Sequence, residues 1–443
     1  MKGARGLAPA PARFDLDGGA LVLVEPSHSV PLVSLVVALR SGSAADPVAR
    51  SGLARIAMRM LRRGCEGLSS EQIEFQIDAL GAEMAVDTSP SSVGIHAQVI
   101  SRNLELFLAL LTRLLGTPTF PEDELERIKR ETIAEIIEAR DNDRIIGQKA
   151  LQRTLFAGHP YGRNPGGTTD SVAAITRSDV LAFYRRFVVQ CNIVIGVAGD
   201  VTLARAPALA RALVAGLPPG TPVADEVPEP TPSAGRRLVV VDKPERTQTQ
   251  ILVGTLGTSA HDEDHVSLAV ANAVFGGTFT SRLMKEVRSK RGWSYGASSR
   301  AGVDRRRQAW LMWTFPAAED AAPCLRLMLE LMERWVQGGV TPREVAFIER
   351  YLVRSYAFEI DTATKRLHQA LDVELLALPA DYYTRWTERV KAVTAETASA
   401  AVKARIHPAD TLAVVVGTAA QVLAPLRQVV AGGEAIVVPF DAE

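Results

Sequence analysis

The stretch GLPPGTPVADEVPEPTPSAG, residues 216–235, decides how the chain is to be read. Pro218, Pro219, Pro222, Pro228, Pro230 and Pro232 fall within it. Neither a helix nor a central strand tolerates that density, because each proline fixes φ and lacks a backbone N–H. A segment of this kind is a connector. It divides the 443 residues into nearly equal halves, which invites a search for internal repetition.

The halves echo one another most clearly at their ends. In the first, Thr176 and Asp179 stand as helix N-cap and capping-box acid; a helix through Phe187 and the apolar run 193–198 follow, closed by Gly199. In the second, Thr394 opens a helix through Ala404, and the apolar run 412–416 ends at Gly417. Each half also opens with two strand-like stretches, 20–24 and 32–39 in one, 237–241 and 249–256 in the other. Between these ends the period becomes helical: Leu53, Ile56, Ala57, Met60 and Leu61 share a face, as do Leu104, Phe107, Leu108 and Leu111. Long helices dominate 319–378. Strands interrupted by pairs of helices predict an α+β fold of two similar domains, each an antiparallel-rich sheet with helices packed on one face. The expected division is a tail at 1–13, a first domain at 14–215, a linker at 216–236 and a second domain at 237–443.

Composition narrows the function. Lys plus Arg equals Asp plus Glu, so the formal charge is zero, and no bulk field draws the chain to nucleic acid or an anionic membrane. The longest mainly apolar runs fall far short of the ~20 residues of a membrane-spanning helix. The opening MKGARGLAPAPARF lacks the apolar core of a secretory signal, so the expected location is cytoplasmic, or periplasmic if a signal preceded this numbering. Cys65, Cys191 and Cys324 form no C-x-x-C pair and are expected to be packing residues. His261 and His265 superficially frame an H-x-x-D-H, but they sit among acidic and small residues before a helical pattern, and a loop and helix start account for them.

The stretch Leu39-Arg40-Ser41-Gly42-Ser43-Ala44-Ala45-Asp46, then Gly52-Leu53-Ala54 opening a helix, resembles the start of the zinc-binding region of the insulinase/pitrilysin (inverzincin) metallopeptidases. Leu80-Gly81-Ala82, Pro118-x-Phe120, Glu135 with Asp141-Asn142, Gly158-His159-Pro160-Tyr161-Gly162 and Val197-x-Gly199-Asp200 extend the resemblance over almost the whole chain. In that family the helix continues as H-x-x-E-H; the two His and a distant Glu hold zinc, and the motif's Glu activates water. Carried over residue by residue, the resemblance puts Arg55, Arg59 and Glu135 at the ligand positions and Met58 at the base position. Only the distant carboxylate is retained.

The replacement has a chemical consequence. A guanidinium is always protonated and offers no lone pair. A divalent ion about 4 Å from each Arg would meet roughly 8 kcal/mol of repulsion, twice the unit-charge value at an effective dielectric near 20. Met58 cannot take a proton from water, so no metal is expected in this chain. Arg55 and Arg59 then have two readings: one or both pair with Glu135 in the vacated site, or they are solvated helix charges beside Arg62 and Arg63.

A second signature is intact. Phe275-Gly276-Gly277-Thr278-Phe279-Thr280-Ser281-Arg282-Leu283, then Val287-Arg288 and Arg291-Gly292-Trp293-Ser294-Tyr295, resembles the family's glycine-containing loop and its Arg/Tyr segment. The resemblance implies that Arg288 and Tyr295 contact substrate and stabilise a developing oxyanion, with Gly276 and Gly277 in a substrate-binding loop. Arg288 can equally hold Tyr295 or a substrate carbonyl in place. Losing one signature and keeping the other implies the zinc-less subunit of a heterodimeric metallopeptidase, whose homologous H-x-x-E-H partner carries the zinc and whose substrates are peptides or unfolded segments added to a sheet edge. The competing readings are a structural or assembly protein with an inactive peptidase fold, and the substrate-capturing subunit of a processing peptidase.

Overall fold

The computed structural model describes residues 10–430 and 432–443. Residues 1–9 of the expected tail lie outside it, while Ala12 and Arg13 already belong to a strand. In the first half, β1 (Ala12–Asp15), β2 (Leu21–Pro26), β3 (Leu32–Leu39), β4 (Glu83–Thr88), β5 (Val93–Ile100) and β6 (Ile193–Gly199) form a six-stranded sheet in the order β1-β2-β6-β3-β5-β4. In the second, β7 (Arg237–Asp242), β8 (Gln250–Leu256), β9 (Ala297–Ala301), β10 (Ala309–Thr314), β11 (Leu412–Gly417) and β12 (Glu434–Pro439) form another, in the order β9-β10-β8-β11-β7-β12.

The repeat is topological. The strand that follows the last capped helix of each half slots between that half's two opening strands, β6 between β2 and β3, β11 between β7 and β8. In the first sheet only the β2–β6 pairing is parallel. In the second, β11–β7 and β7–β12 are parallel and the others antiparallel. The fold is therefore α+β with two mixed sheets. Both expected caps form: the Thr176 hydroxyl accepts from the Asp179 amide at 3.2 Å and the Asp179 carboxylate accepts from the Thr176 amide at 2.9 Å, and Thr394 caps with Thr397 in the same way.

Among the helices that cover the sheets, those that bear on the candidate sites are α1 (Leu53–Met60), α2 (Glu122–Glu138), α3 (Asp143–Leu155), α4 (His265–Asn272) and α5 (Ala363–Leu375). Helices cover one face of each sheet, as expected, and one further helix covers the other. Alternate residues of the same strands divide accordingly. Val22, Val24, Val33, Leu35 and Val37 join the core that includes α1, while Leu21, Leu23, Val36, Ala38, Val194 and Ala198 pack against Leu367, Leu371 and Leu375 of α5. On the second sheet α3 lies across β8 and β11, so close that a Cβ on Gly147 would meet Leu252 Cδ1 at 2.5 Å.

Both α5 and α3 come from the half of the sequence opposite to the sheet they cover. By contact the chain forms two compact units, one of residues up to Ile136 with Asn164–Val227 and Tyr356–Arg385, the other of Ile137–Arg163, Pro228–Ser355 and Trp386–Glu443. A cut of the sequence at the linker and a division by packing are thus different divisions, because a sheet apolar on both faces needs two covers. Among the described residues no helix is long and apolar enough to cross a membrane.

Candidate functional site

Helix α1 begins at Gly52, whose φ of 97° lies in the left-handed region that favours glycine. The buried Asp46 carboxylate caps the helix, accepting from the Gly52 and Ala54 amides at 2.9 and 3.0 Å. The cap fixes the register that sets Arg55 and Arg59 one turn apart, facing α2. Both pair with the same carboxylate: Arg55 Nη2 reaches Glu135 Oε2 at 2.7 Å and Arg59 Nη1 reaches Glu135 Oε1 at 3.1 Å. Arg59 also donates to Thr132 Oγ1 at 2.9 Å. Arg59 and Arg63 flank Glu131 at 3.4 and 3.2 Å. With side chains 28% and 19% exposed, Arg55 and Arg59 are not solvated charges.

A cavity of about 240 Å³ remains beside this cluster, lined by Arg55, Arg59, Arg62, Arg63 and Glu135. Burial lowers the Arg59 pKa; Glu135 opposes that shift and the neighbouring Arg55 charge adds to it. Met58 is 1% exposed, turned into the core. These residues do not fit zinc. The retained Glu135 has both oxygens engaged by guanidinium groups, the helix offers no imidazole, and a buried thioether cannot act as a base. Among the described residues no cluster of three or more His, Cys, Asp or Glu is arranged to hold a metal.

The His261/His265 pair resolves as expected. His265 opens α4, buried, with Nδ1 3.0 Å from Thr258 Oγ1. His261 lies in the preceding turn. Burial holds the His265 pKa down against the opposing charges of Asp262 and Asp264.

The second signature is built on two π-helical turns, Ala273–Gly277 and Lys285–Ser289, a distortion that recurs at functional sites because it re-aims side chains. Gly276 is buried against β9, where a Cβ would sit 2.4 Å from Ser299 Oγ. Its role is to allow that approach; Gly277, the next residue, is exposed. Asn272 ties the same place together. Its amide oxygen accepts from Ser299 Oγ at 2.6 Å and from Trp310 Nε1 at 2.8 Å. Arg282 makes a bidentate pair with Glu344, both contacts 2.7 Å, and donates to the Gly339 carbonyl at 3.0 Å.

Of the Arg/Tyr pair, Arg288 is half-buried and Tyr295 is at the surface. Tyr295 is 85% exposed. Among the described residues the Arg288 guanidinium has no hydrogen bond or ion pair; its one contact of note is the ring of Phe279, 4.7 Å from Cζ to centroid. Phe279 is itself 68% exposed. Sequence reasoning assigns Phe279 no role, although an aromatic residue in a polar turn between Gly277 and Ser281 is the signal that singles it out.

Comparison with known proteins shows the family. Residues 21–169 match the family profile described as Insulinase (Peptidase family M16), and residues 174–352 match the one described as Peptidase M16 inactive domain. The chain belongs to the insulinase (M16) peptidase family. It is similar to an uncharacterised zinc protease of Streptomyces coelicolor, 27% identical over 68% of this chain and 66% of that protein. It is also similar to a non-peptidase homologue of Helicobacter pylori, 20% identical over 82% of this chain and 83% of the other. The solved structure of a peptidase M16 inactive domain from Pseudomonas fluorescens superimposes with a TM-score of 0.85 at 26% identity, covering 92% of this chain and 97% of that one. Relatives thus include proteins named as zinc proteases and a protein named as no peptidase.

Proposed function

We propose that this chain is the zinc-less subunit of a heterodimeric zinc metallopeptidase, lending substrate-binding and oxyanion-stabilising groups to a homologous partner that carries H-x-x-E-H. The observation that carries the reading is the contrast between the two sites. Around Glu135 the cationic groups are paired off, whereas among the described residues the donors of the half-buried Arg288 and the exposed Tyr295 are uncommitted. A tetrahedral intermediate at a peptide carbonyl develops negative charge, and a guanidinium and a phenol aimed at it from a second chain stabilise the transition state without touching the metal. Gly277 and Phe279 form the exposed turn beside them and contact substrate in this reading. Metal and water-activating base belong to the partner.

A structural role without catalysis is the second reading, favoured by the ion-paired cluster at Arg55, Arg59 and Glu135 and by the resemblance to a non-peptidase homologue. The deciding experiment mixes the purified chain with a homologous H-x-x-E-H protein from the same source. Peptide hydrolysis that needs both chains supports the catalytic reading. A complex that assembles and hydrolyses nothing, or a partner equally active alone, overturns it.

A further inference from the structure

Two more arginines lie uncommitted on a different surface. Strand β9 is the edge of its sheet, paired only with β10. Along β10, Trp310, Met312 and Thr314 point into the core, leaving Leu311 and Trp313 on the other face. The register Ser298↔Trp313 and Arg300↔Leu311 puts Ser298 and Arg300 on that outer face too. Arg144, in the first turn of α3, stacks over Trp313 with Cζ 3.8 Å from the ring centroid. Trp313 in turn stacks on Phe315 at 5.0 Å and donates from Nε1 to Gln250 Oε1 at 2.9 Å. A depression of about 430 Å³ opens there, between Asn142, Asp143, Arg144, Gln250, Trp313 and Phe315.

The charge of this surface is unbalanced. Asp143 is neutralised by Lys243 at 2.7 Å and Arg246 at 3.7 Å. Asp141 stands at the rim. Among the described residues neither Arg144 nor Arg300 has a carboxylate or hydrogen-bond partner for its guanidinium. Partial burial and then the nearby Arg144 charge hold the Arg300 pKa below its ordinary value. Arg144 thus stands on an aromatic platform, and its charge is felt at Arg300 on the same face. An arginine stacked on a ring has its face occupied and its in-plane N–H groups free, the arrangement that grips a carboxylate in bidentate fashion.

We propose that Arg144, Arg300 and Trp313 form a binding site for a carboxylate of an extended acidic peptide paired along the open β9 edge. The ligand class rests on the reading of this chain as a peptide-handling subunit. A peptide added as a strand turns every second side chain toward the face that bears Arg300 and Trp313. Tyr295 lies just before β9, and its five-residue separation from Arg300 is about 17 Å along a strand at ~3.3 Å per residue. An acidic side chain about five residues from the bond addressed by Tyr295 therefore meets the arginine pair.

The test measures binding of fluorescently labelled unstructured peptides by anisotropy. Four versions carry Glu or Gln at two positions spaced i, i+2, each with a free or an amidated C-terminus. The Glu peptides should bind the wild-type chain about tenfold more tightly than the Gln peptides, as charge-assisted contacts do, with the margin shrinking as salt rises. Arg144→Gln and Arg300→Gln should each remove most of that margin, Arg300→Lys should keep part of it, and the exposed control Arg211→Gln should leave it intact, all with unchanged thermal melting. A margin that follows only the free C-terminus identifies the chain terminus as the source of the carboxylate. Equal affinity for all four peptides, no binding by any of them, or full discrimination in the Arg144→Gln/Arg300→Gln double variant overturns the proposal. Acid-selective binding without peptidase activity in the mixed complex removes the catalytic reading and leaves this site standing; an active complex indifferent to acidic residues does the reverse.

Discussion

At the residue scale, two arginines of the same chain have opposite fates, and the difference is partner chemistry. Arg59 is fixed by Glu135, Glu131 and Thr132; among the described residues the Arg288 guanidinium meets an aromatic ring and no hydrogen-bond or ion-pair partner. In the heterodimer proposed above, Arg288→Ala or Tyr295→Phe should lower turnover about 10²–10³-fold, the usual cost of one oxyanion donor, with the zinc content of the proposed partner unchanged. Steady-state kinetics on complexes checked for assembly and metal would read this, and full activity in both variants would sink the assignment. Glu344 gives a pH signature. Burial would raise its pKa, but the Arg282 hydrogen bonds, helped by Thr341, dominate and hold it at about 2 against an ordinary 4.5. Because the folded pKa is depressed, the stabilisation is present above the unfolded value and is lost as pH falls from about 4.5 toward 2. Arg282→Met should cost on the order of 1–2 kcal/mol at neutral pH, and denaturant melts should show the gap from wild type closing across that acid window.

At the element scale, α3 and α5 decide how the halves depend on each other. Each supplies the second cover of a sheet encoded in the other half of the sequence. Leu367 is fully buried against β2, β3 and β6, so Leu367→Ala should destabilise the chain by about 2–5 kcal/mol, readable in urea melts. The linker carries no regular structure and is mostly exposed, and limited proteolysis should cut it first. The exchanged helices change the expected consequence: the two fragments should co-elute in gel filtration and part only in denaturant, rather than separate as independent domains. Fragments that part spontaneously would contradict the exchange of α3 and α5.

At the scale of the whole molecule, the family relationship and the degenerate metal site together set the expectation for the isolated chain. Purified alone and dialysed against trace zinc, it should retain well under one equivalent by elemental analysis and hydrolyse no peptide, since the imidazoles and the base are missing from α1. One tightly held equivalent with chelator-sensitive proteolysis by this chain alone would refute that. Zero formal charge leaves any attraction of acidic peptides to local sites such as the proposed Arg144/Arg300 site, so binding there should weaken with salt.

Local chemistry in the sequence determined a good deal. Capping residues marked Thr176 and Thr394, strand 32–39 was read to the residue, and Arg in place of His sets the expectation of no zinc ligation in this chain. The pairing of both arginines with one Glu135 needed α1 and α2 side by side, and the seating of Arg288 against the Phe279 ring, with no ion pair among the described residues, needed its neighbours placed. The second cover of each sheet was half legible: strands such as Leu21–Pro26 are apolar without alternation, which betrays burial on both faces. Which helix would provide that cover was not. Apolar periodicity says that a helix has a face to bury, but the choice of sheet is made by packing between segments more than a hundred residues apart, such as Gly196 against Leu367, and tertiary structure alone decides it.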